Sequence, residues 1–502
     1  MHVDTSDTTN SRSTVPGARA AIALLICINL FNYIDRQILS AVMPRLELDS
    51  TLFSPTDPNL KFKLGLLPSA FLVAYMLFSP LVGWLDGHGY RRWVILGLGV
   101  SIWSLASGGS GLATGFWMLF LTRCLVGVGE GAYGPVASAM ISDAFSTAQR
   151  GKALAAFNIA IPVGSALGFV IGGAVADYFD DWRHAFWFTF AGLGLGVWCF
   201  LKKELPRPTT AAQRENAPSY GAVLKRLLKN RSFYYCCAGM TAVTFVLGGV
   251  AAWVPTYIFQ RESQFLVSAE SLDRMAHPAK DVKRLPVPLE TTAKLQPMDN
   301  GQIRDYGTLK SQAKAALTET EMQLYFEPIA VESTTPNSIK LVTINIVFGG
   351  IVVVGGFLAT IFATWLGERP RTRIRGAYFW VIGGGALAAF PAFVAFLFLP
   401  LPWGWICVFI AVVGLFMHVG PGNTILANVV TPEMRATAFA INILVIHALG
   451  DVISPPLIGF VADKAGWQTS LLCTSTMILV SCALWCYGSR FLDADTAKAN
   501  SI

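Results

Sequence analysis

The sequence predicts an all-α membrane protein with twelve transmembrane helices, arranged as two pseudo-symmetric six-helix bundles. Three observations predict this fold: a strongly apolar composition, regularly spaced apolar segments and an internal repeat. Of the 502 residues, 53% are hydrophobic and only 14% are charged, whereas about 25% are charged in a typical soluble protein. The composition therefore favours a chain that crosses a bilayer many times.

Apolar segments of about 20 residues, the length that spans a ~30 Å hydrocarbon layer, recur along the chain. They lie near 20–43, 64–85, 93–113, 116–142, 153–176, 184–201, 233–258, 340–366, 376–399, 403–430, 436–462 and 467–489. The predicted organisation is a tail at 1–18, a bundle at 19–201, a linker at 202–231, a bundle at 232–490 and a tail at 491–502. A polar insertion at 260–338 interrupts the second bundle.

The distribution of lysine and arginine predicts that both termini are cytoplasmic. The tails, the linker and the short loops on the side of the termini hold 21 of these residues, and the short loops on the other side hold 5. Short cytoplasmic loops carry the excess of positive charge in membrane proteins. We therefore expect a multi-pass protein of the cell (inner) membrane, with the insertion facing outward.

An internal repeat relates the two halves. "RGKALAAF" from Arg150 corresponds to "RATAFAIN" from Arg435, at an offset of 285 residues. "GGAVAD", ending at Asp177, corresponds to "GFVAD", ending at Asp463, at an offset of 286. A third pair, "GWLDGHGYRR" from Gly83 and "TWLGERPRTR" from Thr364, has an offset of 281. Repeated bundles of this kind place a substrate site at their interface, near the bilayer midplane, with access that alternates as the halves move.

Four ionisable residues in predicted spans are the main site candidates. Asp35 and Arg36 lie in the first span, and Arg123 and Glu130 in the fourth. Each charge costs about 2.5–3.5 kcal/mol on insertion scales, so such residues usually serve function. At 1.5 Å per residue, Asp35, Arg36 and Arg123 share one layer, and Glu130 lies about 10 Å closer to the cytoplasm on the face of Arg123.

The residue types suggest separate roles for these charges. Arg36 and Arg123 stay charged and are suited to binding the phosphate or carboxylate headgroup of a substrate. Asp35 and Glu130 can change protonation and are the candidates for carrying a coupling proton. The alternative is a static ion pair that holds the two helices together.

Further cavity candidates are polar residues at helical spacing in the predicted spans. Asn29, Asn32 and Tyr33 continue the polar stripe of Arg36, and Tyr133 follows Glu130 in the fourth span. In the eleventh span, His447 and Asp451 are separated by four residues and so lie on one helix face. This pair is suited either to relaying protons or to stabilising the second bundle.

Charged residues in the predicted cytoplasmic loops are candidates for a gate that closes the inner face. They are Asp86, Arg91, Arg92, Arg150, Glu368, Arg369 and Arg435. The alternative is that the arginines only set the membrane topology, because short cytoplasmic loops carry an excess of positive charge in any case. No metal or nucleotide motif occurs in the sequence, and the nine cysteines lie in apolar segments without metal-ligand spacing.

Several of these motifs resemble the major facilitator superfamily, and more closely its Spinster branch. The loop "GWLDGHGYRR" is similar to the signature loop of the superfamily, although Asp86 comes one position early. "NYIDR" from Asn32, "LTRCLVGVGEGAYGPVA" from Leu121, "AIPVGSALGFVIGG" from Ala160 and "GGVAAWVPTYI" from Gly248 resemble Spinster helices 1, 4, 5 and 7. The resemblance implies the major facilitator fold and transport of lipids such as lysophospholipids or sphingosine phosphate.

The function expected from these features is secondary active transport by alternating access, coupled to protons, of an anionic amphiphile. The alternative is a symporter of small organic anions such as sugar acids. We do not expect an enzyme, because His447 and Asp451, the only catalytic candidates, lie in mid-helix. We expect the protein to be a monomer surrounded by membrane lipid. We expect no cofactor other than the coupling proton and no nucleic-acid partner.

The insertion at 260–338 is not part of the usual Spinster pattern. The segment "LKSQAKAALTETEMQLYFE" from Leu309 is rich in alanine and glutamate, which favour an amphipathic helix. Three arrangements are compatible with the sequence: a cap over the outer mouth, a segment on the membrane surface, or a disordered linker.

Overall fold

A computed structural model describes residues 15–54, 56–145, 147–206, 220–278, 286–368, 375–431 and 434–500. Parts of the predicted tails and linker lie outside these residues, as does Arg369 of the predicted gate. The side chains of Arg150 and Glu368 also lie outside the described part of the chain.

The first half consists of seven helices, followed by an eighth in the linker. They are α1 (Ala18–Leu48), α2 (Leu60–Gly87), α3 (Arg92–Ser110), α4 (Phe116–Ala144), α5 (Thr147–Phe179), α6 (Arg183–Thr189), α7 (Gly192–Phe200) and α8 (Tyr220–Lys229). We call the membrane face at which α1 begins the terminal face and the other the opposite face. α1 therefore runs from the terminal face to the opposite face.

The second half begins with a long helix and then carries the insertion. The first helix is α9 (Arg231–Glu262), and the insertion contains α10 (Ala269–Ala276), α11 (Leu289–Leu295), α12 (Tyr306–Ala316) and α13 (Glu319–Glu332). The remaining helices are α14 (Leu341–Glu368), α15 (Ala377–Phe398), α16 (Leu401–Phe416), α17 (Val419–Asn428), α18 (Arg435–Ile446), α19 (Ser454–Gly488) and α20 (Leu492–Asn500).

The helices are consistent with twelve spans. In the described part of the chain, ten helical stretches are long and apolar enough to cross a membrane. One of them, Thr437–Gly488, has 52 residues and contains two spans, because the backbone turns at Gly466 with φ of 79°. The predicted sixth span is divided between α6 and α7, which are too short to cross singly.

Glycines allow helices within the first half to pack at backbone distance. A Cβ atom on Gly168 of α5 would lie 2.5 Å from the Ile34 carbonyl oxygen of α1. Gly164 is similarly close, with a Cβ position 2.7 Å from the Leu30 carbonyl oxygen. Because a side chain does not fit there, these glycines bring α5 against the helix that carries Asp35 and Arg36.

The described part of the insertion is a folded module rather than a disordered linker. Its apolar core includes Phe265, Leu295, Leu309 and Phe326, which are all at most 2% exposed. Side-chain caps begin α10, α12 and α13; in α13 the Thr318 hydroxyl accepts a hydrogen bond from the Glu321 amide. The sequence predicted one helix from Leu309, whereas the structure divides that segment between α12 and α13. The sequence also did not show that separate short segments share one core.

Candidate functional site

The centre of the first half contains an ion pair between α1 and α4. Arg36 donates a hydrogen bond from Nε to Glu130 Oε2 at 2.6 Å. The Glu130 side chain is fully buried, whereas 24% of the Arg36 side chain is exposed. Solvent therefore reaches part of the Arg36 side chain but not the carboxylate behind it.

Aromatic rings surround the Arg36 guanidinium group. Its carbon lies 4.9 Å from the ring centre of Tyr33, 5.0 Å from that of Phe71 and 5.4 Å from that of Tyr75. Cations are attracted to the faces of aromatic rings. The two α2 residues were not among the sequence candidates, because nothing in the sequence places α2 beside α1.

Asp35 is held by hydroxyl groups from two other helices. The Ser107 hydroxyl of α3 donates to Asp35 Oδ1, and the Thr189 hydroxyl of α6 donates to Ser107 Oγ at 2.7 Å. Asp35 is only 1% exposed and points into the bundle, as expected for a functional or structural charge in a span.

Arg123 occupies a separate buried position on α4. Its Nη2 donates to Ser110 Oγ at 2.6 Å, and its guanidinium carbon lies 4.9 Å from the ring centre of Phe186. Arg123 is 2% exposed and is close enough to Asp35 for electrostatic attraction. The attraction between these two charges compensates part of the cost of burying them.

The four charges lie within electrostatic reach of one another, and Arg36 pairs with the charge that helix rise placed apart from it. Depth along the helices placed Arg36 with Arg123, and Glu130 about 10 Å away. In the structure Arg36 bonds Glu130, while Asp35 faces Arg123. Backbone depth alone did not predict the pair of Arg36 and Glu130, because it leaves out the reach of the long arginine side chain.

Three of the polar candidates are buried in helix packing rather than in an open cavity. Asn29 donates from Nδ2 to the Phe157 carbonyl oxygen of α5 at 3.0 Å, and the Tyr133 hydroxyl donates to the Leu25 carbonyl oxygen at 2.5 Å. Asn29, Asn32 and Tyr133 are 4%, 3% and 2% exposed. The sequence led us to expect these residues to line a cavity. Helical spacing does not distinguish a helix interface from a hydrated surface.

His447 and Asp451 form a hydrogen-bonded pair in the second half. His447 Nδ1 and Asp451 Oδ2 are 2.7 Å apart, and their side chains are 33% and 19% exposed. They lie in a π-helical turn at His447–Asp451 between α18 and α19, a feature frequent at functional sites. Asp451 is within electrostatic reach of Arg36, so the pair faces the charged site of the first half.

On the terminal face, Arg92 and Arg435 of the predicted gate bond within their own halves. Arg92 donates to Asp86 Oδ1 at 2.6 Å and to Asp143 Oδ2 at 2.7 Å, all within the first half. Arg435 Nε donates to the Ala427 carbonyl oxygen at 3.0 Å, within the second half. Arg91 is exposed at the start of α3.

On the opposite face, by contrast, a carboxylate of the second half caps a helix of the first. Asp463 of α19 accepts hydrogen bonds from the Lys61 and Phe62 amides at the start of α2, at 3.2 and 3.0 Å. The Lys61 ammonium group lies 3.8 Å from the same carboxylate. A negative charge at a helix N-terminus is stabilised by the amides and the helix dipole.

The repeat-related residue of the first half makes the reciprocal contact. Asp177 of α5 accepts a hydrogen bond from the Val342 amide at the start of α14, at 2.9 Å. Arg45 Nη2 lies 3.3 Å from Asp177 Oδ1. The sequence showed Asp177 and Asp463 as equivalent positions of the repeat, but it did not show that each caps a helix of the other half.

The seam between α2 and α19 is closed to backbone distance. A Cβ atom on Gly65 would lie 2.5 Å from the Pro455 carbonyl carbon and oxygen. Further into the membrane, the Ser69 hydroxyl donates to the Val452 carbonyl oxygen at 2.5 Å. The structure is therefore closed between the halves at the opposite face.

An apolar groove follows this seam on the bilayer side. It has a volume of about 790 Å³ and lies between α2, α4 and residues 452–460. Its walls are almost entirely apolar and include Phe62, Leu66, Val73, Phe120, Val452 and Phe460. Such a surface accommodates hydrocarbon chains and not polar solutes.

The comparisons with known proteins identify the family. A model of the Major Facilitator Superfamily matches residues 25–269. The chain is 31% identical to Protein spinster homolog 3 of Danio rerio over 474 residues, covering 92% of this chain and 81% of the relative. It is 31% identical to Protein spinster homolog 1 of Homo sapiens over 478 residues, covering 91% and 76%.

A solved structure shows the same fold. It is that of a bacterial homolog of the human lysosomal transporter Spinster, in an inward-facing and unoccupied conformation. The TM-score is 0.71 at 19% identity, covering 96% of this chain and 98% of the other. This chain therefore belongs to the Spinster branch of the major facilitator superfamily and is a membrane transporter rather than an enzyme.

Proposed function

We propose that this transporter moves an anionic amphiphile, such as a lysophospholipid or a sphingosine-phosphate-like lipid, with coupling to protons. The observation that carries the proposal is the Arg36–Glu130 pair, in which a reachable cation covers a buried carboxylate. An anionic headgroup that binds Arg36 competes with Glu130 for the guanidinium group. Glu130, released from Arg36, then takes up a proton, because an unpaired buried carboxylate is costly.

Reversal of these steps releases the substrate. Loss of the proton from Glu130 restores the ion pair and weakens the bond between Arg36 and the headgroup. Arg123 contributes further positive charge to the site, and Asp35 partly neutralises it. His447 and Asp451 of the second half bind the polar part of the same substrate; Asp451 lies within electrostatic reach of Arg36, which supports this role.

The apolar groove favours an amphiphile over a sugar acid. A substrate with an acyl chain needs an apolar surface continuous with the bilayer, and the groove of about 790 Å³ provides one at a seam between the halves. The polar site and the groove share α2, since Phe71 and Tyr75 face Arg36 while Ala70 and Ala74 line the groove.

The proposal includes the orientation and coupling predicted from the sequence. The terminal face is cytoplasmic, since the excess of lysine and arginine lies there, and the protein acts in the cell membrane as a monomer. The gate candidates Asp86, Arg91, Arg92, Arg150, Glu368, Arg369 and Arg435 bridge the halves at that face when the opposite face is open. In the closed opposite face seen here, Arg92 and Arg435 bond within their own halves.

The test is transport by purified protein in liposomes that carry a pH gradient. A fluorescent lysophospholipid is offered in one set, and its transfer between leaflets is measured by extraction with albumin. A labelled sugar acid is offered in a second set and measured by filtration. We expect gradient-dependent transfer of the lysophospholipid; uptake of the sugar acid alone would establish the alternative, and gradient-independent transfer would exclude proton coupling.

A further inference from the structure

The insertion contacts both halves of the transporter at the opposite face through its described residues, 260–278 and 286–338. It is covalently part of the second half, between α9 and α14. Its apolar core nevertheless contains Leu48, the last residue of α1 in the first half. Leu48 is 5% exposed, so the insertion core is completed by a residue from the other half.

Polar contacts beside Leu48 also cross between the halves. Glu47 of α1 is 3% exposed and accepts a hydrogen bond from Gln260 Nε2 of α9 at 2.5 Å. Gln260 Oε1 in turn accepts a hydrogen bond from Trp467 Nε1 of α19 at 2.6 Å. The end of α1 is therefore tied to two helices of the second half directly beneath the insertion.

Lys310 of α12 adds an electrostatic contact over the α2–α19 seam. It is within reach of the carboxylates of Glu47 and Asp463, which belong to different halves. Burial lowers the pKa of Lys310, and the two carboxylates oppose this shift. A lysine within electrostatic reach of carboxylates of both halves attracts them towards it, and the neighbouring positive charges of Lys61 and Lys314 limit this effect.

The insertion breaks the symmetry of the repeat. The carboxylate caps at Asp177 and Asp463 occur once in each half. The connection between α1 and α2, which corresponds to that between α9 and α14, spans only residues 49–59. The additional contacts of the insertion thus act on the opposite face alone and have no counterpart in the first half.

We propose that the insertion is a clamp that stabilises the closed opposite face, and that opening this face requires Leu48 to leave the insertion core. In alternating access the two halves rock against each other around the central site. Such a movement separates the end of α1 from α9 and α19, and therefore from the clamp. The clamp biases the transporter towards the state that is open to the terminal face, whatever substrate it carries.

The test measures how often the opposite face opens. Ser69→Cys is introduced into a chain in which the nine native cysteines are replaced, because Ser69 is 5% exposed and lies below the seam. Proteoliposomes are treated with a charged maleimide that does not cross the bilayer. The labelling rate then reports the fraction of protein with an open seam, even when that fraction is small.

Leu48→Ala is the main variant, and Leu289→Ala is its matched control, because Leu289 is 69% exposed on the insertion. We expect Leu48→Ala to raise the labelling rate by at least roughly 30-fold, the lower end of the change in a two-state ratio that loss of a buried leucine side chain produces. We expect Lys310→Ala to raise it less and Leu289→Ala to leave it unchanged. An unchanged rate with Leu48→Ala would overturn the proposal.

A second reporter separates opening of the seam from general unfolding. Ser104→Cys lies inside the first half and is 0% exposed, so it should remain unlabelled in every variant. Labelling of this reporter in Leu48→Ala, at the rate seen for Ser69→Cys, would reject the clamp. The assay contains neither substrate nor a pH gradient, so its result does not depend on the proposed cargo or coupling.

Discussion

Arg36 of α1 and Glu130 of α4 form an ion pair of 2.6 Å that solvent reaches only from the arginine side. The pair joins the two helices, as a purely structural ion pair does. A structural ion pair does not require a partly exposed arginine, however, and Arg36 is partly exposed. The aromatic rings of Tyr33, Phe71 and Tyr75 keep the guanidinium group in place around this opening. This arrangement makes the pair suited to exchange one anion for another.

The first prediction concerns the proton. Glu130→Gln should reduce uptake driven by the pH gradient to background, because the amide neither gains nor loses a proton, while exchange of labelled for unlabelled substrate continues. Glu319→Gln, at an exposed position of α13, is the control and should behave as wild type. Gradient-driven uptake that survives in Glu130→Gln would show that this carboxylate does not carry the proton.

Asp35→Asn provides the complementary measurement. If Glu130 carries the proton, this variant retains gradient-driven uptake. Arg123 then lacks the neighbouring negative charge, so both KM and kcat should fall as the anionic substrate binds more tightly and leaves more slowly. Loss of gradient dependence in Asp35→Asn, with retention in Glu130→Gln, would assign the proton to Asp35.

The second prediction concerns headgroup binding. Arg36→Lys should weaken substrate binding about tenfold, since lysine lacks the planar donor fork of arginine and a hydrogen bond to a charged group contributes about 1.5–3 kcal/mol. Binding is measured by fluorescence titration in detergent. Arg19→Lys changes an exposed residue of the same helix and should have no effect; equal weakening in both would contradict a specific role for Arg36.

The third prediction concerns the two symmetric caps at the opposite face. Loss of a capping carboxylate costs about 0.5–2 kcal/mol, so Asp177→Ala or Asp463→Ala should raise labelling of Ser69→Cys roughly 2- to 30-fold. Because both seams part in one movement, the two free-energy changes add in the double variant. Asp273→Ala, at a side chain that is 77% exposed, is the control.

Two results would contradict this role of the caps. Unchanged labelling in both single variants would show that the caps do not stabilise the closed face. Labelling that rises in only one variant would show that the halves do not separate as rigid bodies at both seams.

The fourth prediction concerns the stability of the insertion in acid. Hydrogen bonds, first from Lys294 and then from the Thr318 amide, lower the pKa of Glu321 from 4.5 to about 2. A lowered pKa contributes stability that is fully present above pH 4.5 and is lost as the pH falls towards 2. The midpoint of thermal unfolding of Glu321→Gln should therefore lie below that of wild type at neutral pH, and the difference should shrink between pH 4.5 and 2.

Hydrogen exchange of α13, measured with the same two proteins, locates the effect. Faster exchange in Glu321→Gln should be confined to the first turns of this helix. A difference between the proteins that persists unchanged at pH 2 would show that the charge of Glu321 does not stabilise the cap.

The site was only partly predictable from the sequence. The four charges at Asp35, Arg36, Arg123 and Glu130 were found because a charge in an apolar span is costly and therefore informative. Their partners were not found, since Ser107 and Thr189 are common residues in such spans and nothing local distinguishes them. The sequence showed Asp177 and Asp463 only as equivalent positions of the internal repeat. It did not show that these residues cap helices.

The sequence by itself determined the membrane character, the spans and the repeat, because apolar length and duplicated motifs are properties of the chain read in order. Only the tertiary structure decided which charges pair, that Asn29 and Tyr133 lie in packing, and that Leu48 completes the core of the insertion. These contacts join residues far apart in the chain. They depend on how helices cross and on the reach of individual side chains, which helical periodicity does not encode.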